Sequence, residues 1–215
     1  MPERPLRVRR TRGAPGGEGM SRYQVYLIDD DEAVREAIAF LLGTYGIDVE
    51  SFGEPKTFLA HVDEAKPGVL VVDLRMPEVS GLQLYQRLAE RGIDWPTVMI
   101  TGHGDVAACR RAFKAGIQDF LTKPVDGEVL VEALQQGFSS LDARLEKREA
   151  RALLARLTER EREVLDMVAR GWASKEVAAA LEVSVRTIDA HRAKIAEKLG
   201  TSSVAEFVRL TLQEK

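Results

Sequence analysis

Asp73 ends an apolar run at residues 69–72 and so places a carboxylate on the rim of a predicted buried strand. A second apolar run, at 25–28, is followed directly by Asp29 and Asp30. Carboxylates gathered at one edge repel each other unless a cation joins them. The pattern therefore predicts a divalent-metal site in which one carboxylate is left to react.

Two other segments bring groups that bind phosphate. Lys123 precedes a proline between a predicted strand and a predicted helix. An ammonium fixed beside several carboxylates can bind a phosphate as a point charge. Thr101 can donate a hydroxyl hydrogen bond, and Gly102 lets its backbone amide approach a ligand closely.

Apolar runs and helical patterns alternate from Tyr23 onward. They predict buried strands at 25–28, 47–51, 69–72, 97–100 and 120–121, and helices at 32–45, 55–64, 81–91 and 105–115. A repeat of this kind predicts a parallel sheet covered by helices on both faces. Ligands of such sheets bind beyond the carboxyl ends of the strands, where the acidic residues and Thr101 fall.

Length and composition exclude several classes of protein. The 215 residues, 45% hydrophobic and 30% charged, suit one large or two small soluble domains. No apolar stretch approaches the roughly 20 residues of a membrane helix, and the N-terminal arginines are not followed by a secretory core segment. The single cysteine, Cys109, excludes an internal disulfide and a cysteine-rich zinc site. We expect a cytoplasmic protein without a membrane partner.

Two segments flank the predicted sheet. Residues 1–20, rich in Arg, Pro and Gly, are expected to form a disordered basic arm. Met20 is an alternative start, and a natural arm that touches nucleic acid is the other interpretation. A long helix begins near Asp126, and its part at 138–154 is either a solvated or a dimerising linker. Its short coiled-coil-like seam comprises Leu134, Phe138, Leu141 and Leu145.

The acidic pair and three motifs resemble the receiver domain of two-component response regulators. The motifs are VVDLRMPEVSG around Asp73, ITGHGD at Thr101 and DFLTKP at Lys123, in matching order and spacing. The resemblance covers residues 23–137 and implies a domain at 21–137. The implied fold is a five-stranded, doubly wound parallel sheet of the flavodoxin and CheY type.

The resemblance also implies a role for each site residue. Asp73 would be the phospho-acceptor, and it would hold Mg²⁺ or Mn²⁺ together with Asp29, Asp30 and the backbone carbonyl of Arg75. Hard oxygen ligands suit these ions. The phosphoryl oxygens would be bound by Lys123, Thr101 and the Gly102 amide. The Lys123-Pro124 bond is expected to be cis.

Switching and dephosphorylation follow from the same resemblance. Thr101 would move toward the phosphoryl group and Phe120 would turn inward behind it, unless Phe120 is a plain core residue. The surface at 105–120, with the helix after Asp126, would then become a dimerisation face. Arg75 and His103 would flank the path of a hydrolysing water and slow loss of the phosphate, unless His103 has no role.

The pattern becomes all helical after Leu157. Helices are predicted at 159–170, 174–181, 185–199 and from 204 onward, several of them with hydroxyl caps. The run from LTEREREVLDMVARGWASKEVAAAL to TIDAHRAKIAEKLG resembles the LuxR-type helix-turn-helix. With the receiver, it resembles the NarL/FixJ class of response regulators, in the FixJ branch. We expect an all-α DNA-binding domain at 155–215.

The third of these helices is the expected recognition helix. The segment 183–199 carries four basic residues despite the chain's net charge of −3. The inward positions are Ile188, Ile195 and Leu199. The expected groove residues are Thr187, Asp189, Ala190 and Ala193. Asp189 either accepts from a cytosine or pairs with Arg186 or Arg192. The expected phosphate contacts are Arg186, Arg192, Lys194 and Lys198, and His191 is either structural or a phosphate contact.

These features predict a phosphorylation-controlled transcription factor. Its expected partners are a sensor histidine kinase, double-stranded promoter DNA, a second copy of the chain and RNA polymerase. It would not be an enzyme beyond its own phosphorylation and slow dephosphorylation. Two alternatives remain: a Mg²⁺-dependent phosphohydrolase with an aspartyl nucleophile, and a DNA-binding regulator that needs no phosphorylation.

Overall fold

The computed structural model describes residues 6–7, 23–102 and 116–214, with only the backbone at 6, 7 and 214. The chain divides into two units, Met1–Leu141 and Asp142–Lys215. The predicted helix at 105–115 lies outside the described residues.

The first unit contains a six-stranded sheet. Its strands are β1 Leu6–Arg7, β2 Gln24–Ile28, β3 Val49–Phe52, β4 Gly68–Asp73, β5 Thr97–Thr101 and β6 Asp119–Thr122, in the order β1-β3-β2-β4-β5-β6. The five strands from β2 to β6 are parallel. The predicted five-stranded parallel sheet is therefore confirmed.

β1 is an addition that the sequence did not predict. It pairs antiparallel with β3, Leu6 opposite Ser51 and Arg7 opposite Glu50. An edge strand such as β3 offers unpaired backbone groups to another strand. The prediction of disorder is thus wrong for these two residues, and the rest of the predicted arm lies outside the described ranges.

The helices follow the predicted periodicities closely. They are α1 Glu32–Thr44, α2 Pro55–His61, α3 Gly81–Glu90, α4 Gly127–Leu154, α5 Glu159–Ala169, α6 Ser174–Ala180, α7 Val185–Leu199 and α8 Val204–Glu214. Side-chain caps explain several starts, since Asp31, Ser80, Thr158 and Ser184 each accept from backbone N–H groups of the first turn.

Each face of the sheet packs against different elements. Val25 and Leu27 of β2 lie on one face, in a core that α1 and α4 complete with residues such as Leu42 and Leu130. Tyr26 lies on the other face, stacked on Trp95 and tilted against Phe58 of α2. Layers on both faces leave the carboxyl edge of the sheet open for a site.

α4 contributes to both units. Leu134, Phe138 and Leu141 are buried, the first two in the core under β2 and β4. The sheet therefore covers the first part of the expected coiled-coil-like seam, at Leu134 and Phe138. Farther along, Ala150 and Leu154 lie in the core of the second unit, with Val164 of α5 and Ile188 of α7.

Gly81 allows α3 to start against the end of β4. A Cβ at Gly81 would lie 2.4 Å from the carbonyl oxygen of Asp73 and 3.1 Å from Met99 Sδ. We expect Gly81→Ala to lower the free energy of unfolding by about 1–3 kcal/mol, since the strand end must move. Urea unfolding measures this change.

Gly43→Ala is the matched control, because a Cβ at Gly43 meets nothing within 4 Å. Alanine is a better helix former than glycine, so the control should gain about 0.5–1 kcal/mol. Equal effects of the two substitutions would show that the close approach at Gly81 does not limit stability.

Candidate functional site

An ammonium bridges two carboxylates at the carboxyl edge of the sheet. Lys123 Nζ lies 2.7 Å from Asp29 Oδ2 and 2.7 Å from Asp73 Oδ1. Both aspartates are buried. The strand order makes this possible, because β2 and β4 are neighbours, β6 lies one strand beyond β4 with β5 between them, and these parallel strands end at the same edge.

The charges at this edge perturb each other. Burial raises the pKa of the Asp29 carboxyl above its ordinary value, although hydrogen bonds from Lys123 and the Asp31 backbone lower it in part. Burial acts to lower the pKa of Lys123, but its hydrogen bonds to Asp29 and Asp73 prevail and raise it. Lys123 thus offsets part of the cost of burying the Asp29 carboxylate.

Backbone contacts hold the carboxylates in place. The Asp29 N–H donates to the Phe52 carbonyl at 3.2 Å, and the Asp31 N–H donates to Asp29 Oδ1 at 3.0 Å. The Arg75 N–H donates to Asp73 Oδ2 at 2.7 Å. The Lys123-Pro124 bond is cis, as the resemblance implied.

Thr101 and Gly102 complete this edge. The Thr101 side chain is buried, and its Oγ1 has no hydrogen-bond partner within the described part of the chain. Gly102 follows it, exposed, with open space where a Cβ would lie. Burying a hydroxyl without a hydrogen-bond partner costs free energy. A group that accepts a hydrogen bond from Thr101 therefore fits beside it.

The donor set suits a hard divalent cation. Asp29 and Asp73 offer carboxylate oxygens to the pocket, and Asp30 is exposed beside them. Among the described residues, no group of three or more His, Cys, Asp or Glu side chains is gathered as a metal site. Lys123 Nζ contacts two of the three expected carboxylates, those of Asp29 and Asp73, and the exposed Asp30 would be the third.

The remaining predicted residues of the first unit stay predictions. Phe120 is half-buried on β6. The Arg75 side chain is exposed. His103, the other residue expected to slow dephosphorylation, lies outside the described ranges.

Arg35 is a neighbour of the site that the sequence reasoning missed. Its guanidinium donates to the backbone carbonyls of Asp29, at 2.8 Å, and Asp30, at 3.1 Å. The sequence signal that could have identified Arg35 is its position in the first turn of the helix that follows the acidic loop. Such an arginine is ordinarily solvated, so spacing alone did not single it out.

In the second unit, α7 presents a polar face. Ile188, Ile195 and Leu199 are buried, as predicted. The exposed residues are Arg186, Thr187, Asp189, Ala190, Ala193 and Lys194. Within the part of the chain that is described, Asp189 has no ion pair with Arg186 or Arg192, so its carboxylate points to solvent without the pairing considered above.

Three predicted DNA contacts are partly buried instead. Lys198 Nζ lies 2.6 Å from Glu161 Oε2. Arg192 donates to Ser174 Oγ at 3.4 Å, and His191 Nδ1 is buried without a partner among the described residues. The phosphate contact expected of Lys198 is a poor fit to this geometry, because a buried carboxylate already holds its ammonium.

The partner of Lys198 is Glu161, in the first turn of α5. Its Oε2 accepts from Lys198 and from the Thr158 N–H at 2.8 Å. The hydrogen bond from Lys198, followed by that from Thr158, lowers the pKa of Glu161 to about 2. Glu161 thus ties the end of the exposed helix to the start of α5.

The first unit carries a buried acidic edge on a parallel sheet, and the second exposes one polar face of α7. Residues 25–135 match the response regulator receiver domain, and residues 155–211 match the bacterial regulatory proteins of the luxR family. The chain belongs to the two-component response regulators with a luxR-type DNA-binding domain. It is thus a protein of phosphorylation-linked transcription regulation.

Similar proteins span almost the whole chain. The transcriptional regulatory protein FixJ of Rhizobium meliloti (strain 1021) is 39% identical over 197 residues, which cover 90% of this chain and 97% of that protein. The tetrathionate response regulatory protein TtrR of Salmonella typhimurium is 38% identical, with coverages of 86% and 90%. The solved structure of the response regulator StyR is 37% identical, with a TM-score of 0.68 and coverages of 89% and 99%. No helix among the described residues is long and apolar enough to span a membrane.

Proposed function

We propose that the protein accepts a phosphoryl group on Asp73 from a sensor histidine kinase and then binds promoter DNA as a dimer. One observation carries the proposal. Lys123 Nζ contacts a buried oxygen of Asp73, beside a Thr101 hydroxyl that lacks a partner within the described residues. This combination suits a carboxylate that receives a phosphoryl group.

Each group has a distinct task in the transfer. An Asp73 carboxylate oxygen attacks the phosphorus, the new O–P bond forms, and the P–N bond to the kinase histidine breaks. The electron pair of that bond stays on the leaving imidazole. Lys123, Thr101 and the Gly102 amide then bind the phosphoryl oxygens, which carry roughly −1.5 to −2 charges.

Mg²⁺ or Mn²⁺ is the proposed cofactor. Its ligands would be Asp29, Asp30 and Asp73 with the Arg75 carbonyl, all of them hard oxygen donors. When bound, the ion offsets negative charge on the acceptor and the phosphoryl group. Lys123, whose ammonium lies within reach of both Asp29 and Asp73, is the residue that would bind a phosphoryl oxygen.

Phosphorylation acts on DNA through dimerisation. One DNA-binding domain makes few contacts, so useful affinity needs two half-sites about one DNA turn apart. A receiver dimer raises the effective concentration of the second DNA-binding unit. Thr101 and Phe120 are the proposed switch residues, and RNA polymerase is the proposed target of the bound dimer.

The test compares one protein in two states. The full chain is treated with acetyl phosphate and Mg²⁺, and its DNA affinity is measured on sites selected from random DNA. We expect phosphorylated protein to form dimers in sedimentation and to bind about 10- to 100-fold more tightly. Equal affinity and an unchanged oligomeric state would contradict the proposal and favour a regulator that needs no phosphorylation.

Lys194 allows a separate test of the DNA-binding helix. Its side chain is exposed on α7, so we expect a phosphate contact. Lys194→Ala should weaken binding about equally on all sequences and reduce the dependence of log affinity on log salt by about one unit. Titrations at several salt concentrations measure both quantities. Asp189→Asn is the contrasting variant, since a base contact changes sequence preference more than it changes salt dependence.

A further inference from the structure

Arg35 reaches back from α1 to the acidic loop that follows β2. Its Nη1 donates to the carbonyl oxygen of Asp29 at 2.8 Å and to that of Asp30 at 3.1 Å. One guanidinium nitrogen thereby joins two consecutive carbonyl groups. The peptide planes on both sides of Asp30 are restrained by these bonds.

Gly53 provides the space for this guanidinium. A Cβ at Gly53 would lie 3.4 Å from Arg35 Nη1 and 3.5 Å from both Cζ and Nη2. Three guanidinium atoms at almost the same distance show that its flat face lies toward Gly53. Gly53, the residue after β3, thus leaves room beside the flat face of the guanidinium.

Two carboxylates of the acidic loop already have partners. The Asp29 carboxylate accepts from Asp31 N–H and from Lys123, and the Asp31 carboxylate accepts from the N–H groups of Ala33 and Val34. Asp31 is therefore a capping residue of α1. The hydrogen bonds from Arg35 restrain the backbone at Asp30, whose exposed carboxylate has no such support from the described residues.

We propose that Arg35 is a positioning residue for the divalent cation of the proposed phosphoryl transfer, and the inference rests on that proposed function. Arg35 directs the Asp29 and Asp30 carboxylates because it binds the backbone carbonyl groups of both residues. A lysine keeps the positive charge but has a compact ammonium on a shorter side chain. Groups that orient metal ligands typically change metal affinity by about 10- to 100-fold.

Arg35→Lys is the main test because it separates geometry from charge. Calorimetric titration of the full-length protein with Mg²⁺ measures the dissociation constant, and urea unfolding checks the fold. We expect binding about 10-fold weaker than in the wild type. A variant that lost the positive charge of Arg35 would be expected to bind Mg²⁺ more tightly, because repulsion between the two cations would be removed. Weaker binding in Arg35→Lys would therefore reflect geometry.

Gly53 offers a second variant that leaves Arg35 in the sequence. Gly53→Leu should displace the guanidinium and weaken Mg²⁺ binding to a similar degree. Gly53→Ala should leave binding within about twofold, because its methyl group meets the guanidinium at ordinary contact distance. If Arg35→Lys does not fold, the two Gly53 variants decide the matter.

Arg91→Lys is the matched control. Arg91 also donates to a backbone carbonyl, that of Leu59, at 2.7 Å, but it follows α3 instead of the acidic loop. A purely structural role predicts that both lysine variants lose stability and keep the affinity for Mg²⁺. We expect only Arg35→Lys to lose affinity.

The outcomes separate this inference from the proposed function. Wild-type affinity in both Arg35→Lys and Gly53→Leu, with Mg²⁺-dependent phosphorylation intact, overturns the positioning role alone. A wild-type protein that neither binds Mg²⁺ nor takes phosphate from acetyl phosphate overturns the proposed function, and this inference with it.

Discussion

Asp73→Asn is expected to abolish phosphorylation and to hold DNA affinity at the unphosphorylated level. The amide that replaces the carboxylate is a poor nucleophile toward phosphorus, whereas its shape and size are preserved. One oxygen remains to accept the hydrogen bond from the Arg75 N–H. The loss of one carboxylate also reduces the repulsion between Asp29 and Asp73, so the variant should stay folded.

Phosphate labelling and DNA titration measure this prediction together. The wild type should take up label from acetyl phosphate and gain about 10- to 100-fold in DNA affinity, and Asp73→Asn should do neither. Asp63→Asn is the control, because Asp63 is an exposed aspartate 3.6 Å from Arg91. Label retained in Asp73→Asn would mean that another residue accepts the phosphate.

Breaking the ion pair between Glu161 and Lys198 is expected to destabilise the second unit, by about 1–3 kcal/mol in Glu161→Gln, because Lys198 is 34% exposed and water screens part of its charge. In Glu161→Gln, Lys198 loses its ionic partner in a partly buried position. Lys198→Met leaves a carboxylate that is only 4% exposed without its counter-ion. The double variant Glu161→Gln, Lys198→Met should recover most of the loss, since neither charge is then left alone.

This ion pair also predicts a dependence of stability on pH. The folded state lowers the pKa of Glu161 from 4.5 to about 2, so the folded protein binds the proton less readily than the unfolded chain. The stabilisation is complete above about pH 4.5 and is lost as the pH falls toward 2. The difference in the free energy of unfolding between the wild type and Glu161→Gln should therefore shrink as the pH falls from about 4.5 toward 2.

Urea unfolding at several pH values measures both effects. The two tryptophans lie in different units, Trp95 in the first and Trp172 in the second. Trp172 fluorescence in a Trp95→Phe background therefore reports on the unit that contains Glu161. A stability difference that stays constant from pH 6 to about pH 3 would exclude the ion pair as its source.

The parallel sheet and the receiver residues could be predicted because their signals are local. Apolar runs define buried strands, and each reactive side chain directly follows a run. Parallel strands then bring their carboxyl ends to one edge. The inward residues Ile188, Ile195 and Leu199 also followed from helical periodicity, whereas the cis Lys123-Pro124 bond was implied by the resemblance to receiver domains.

Other features depend on residues that are distant in the chain. Sequence spacing does not reveal that Lys198 meets Glu161, 37 positions away, or that Lys123 bridges to Asp29, 94 positions away. Periodicity likewise identified the apolar face of α4, but not that the sheet covers Leu134 and Phe138. A lysine ammonium binds a phosphate and a carboxylate by similar electrostatic contacts. The fold decides which of them it meets, because it brings one within 3 Å and excludes water from the contact.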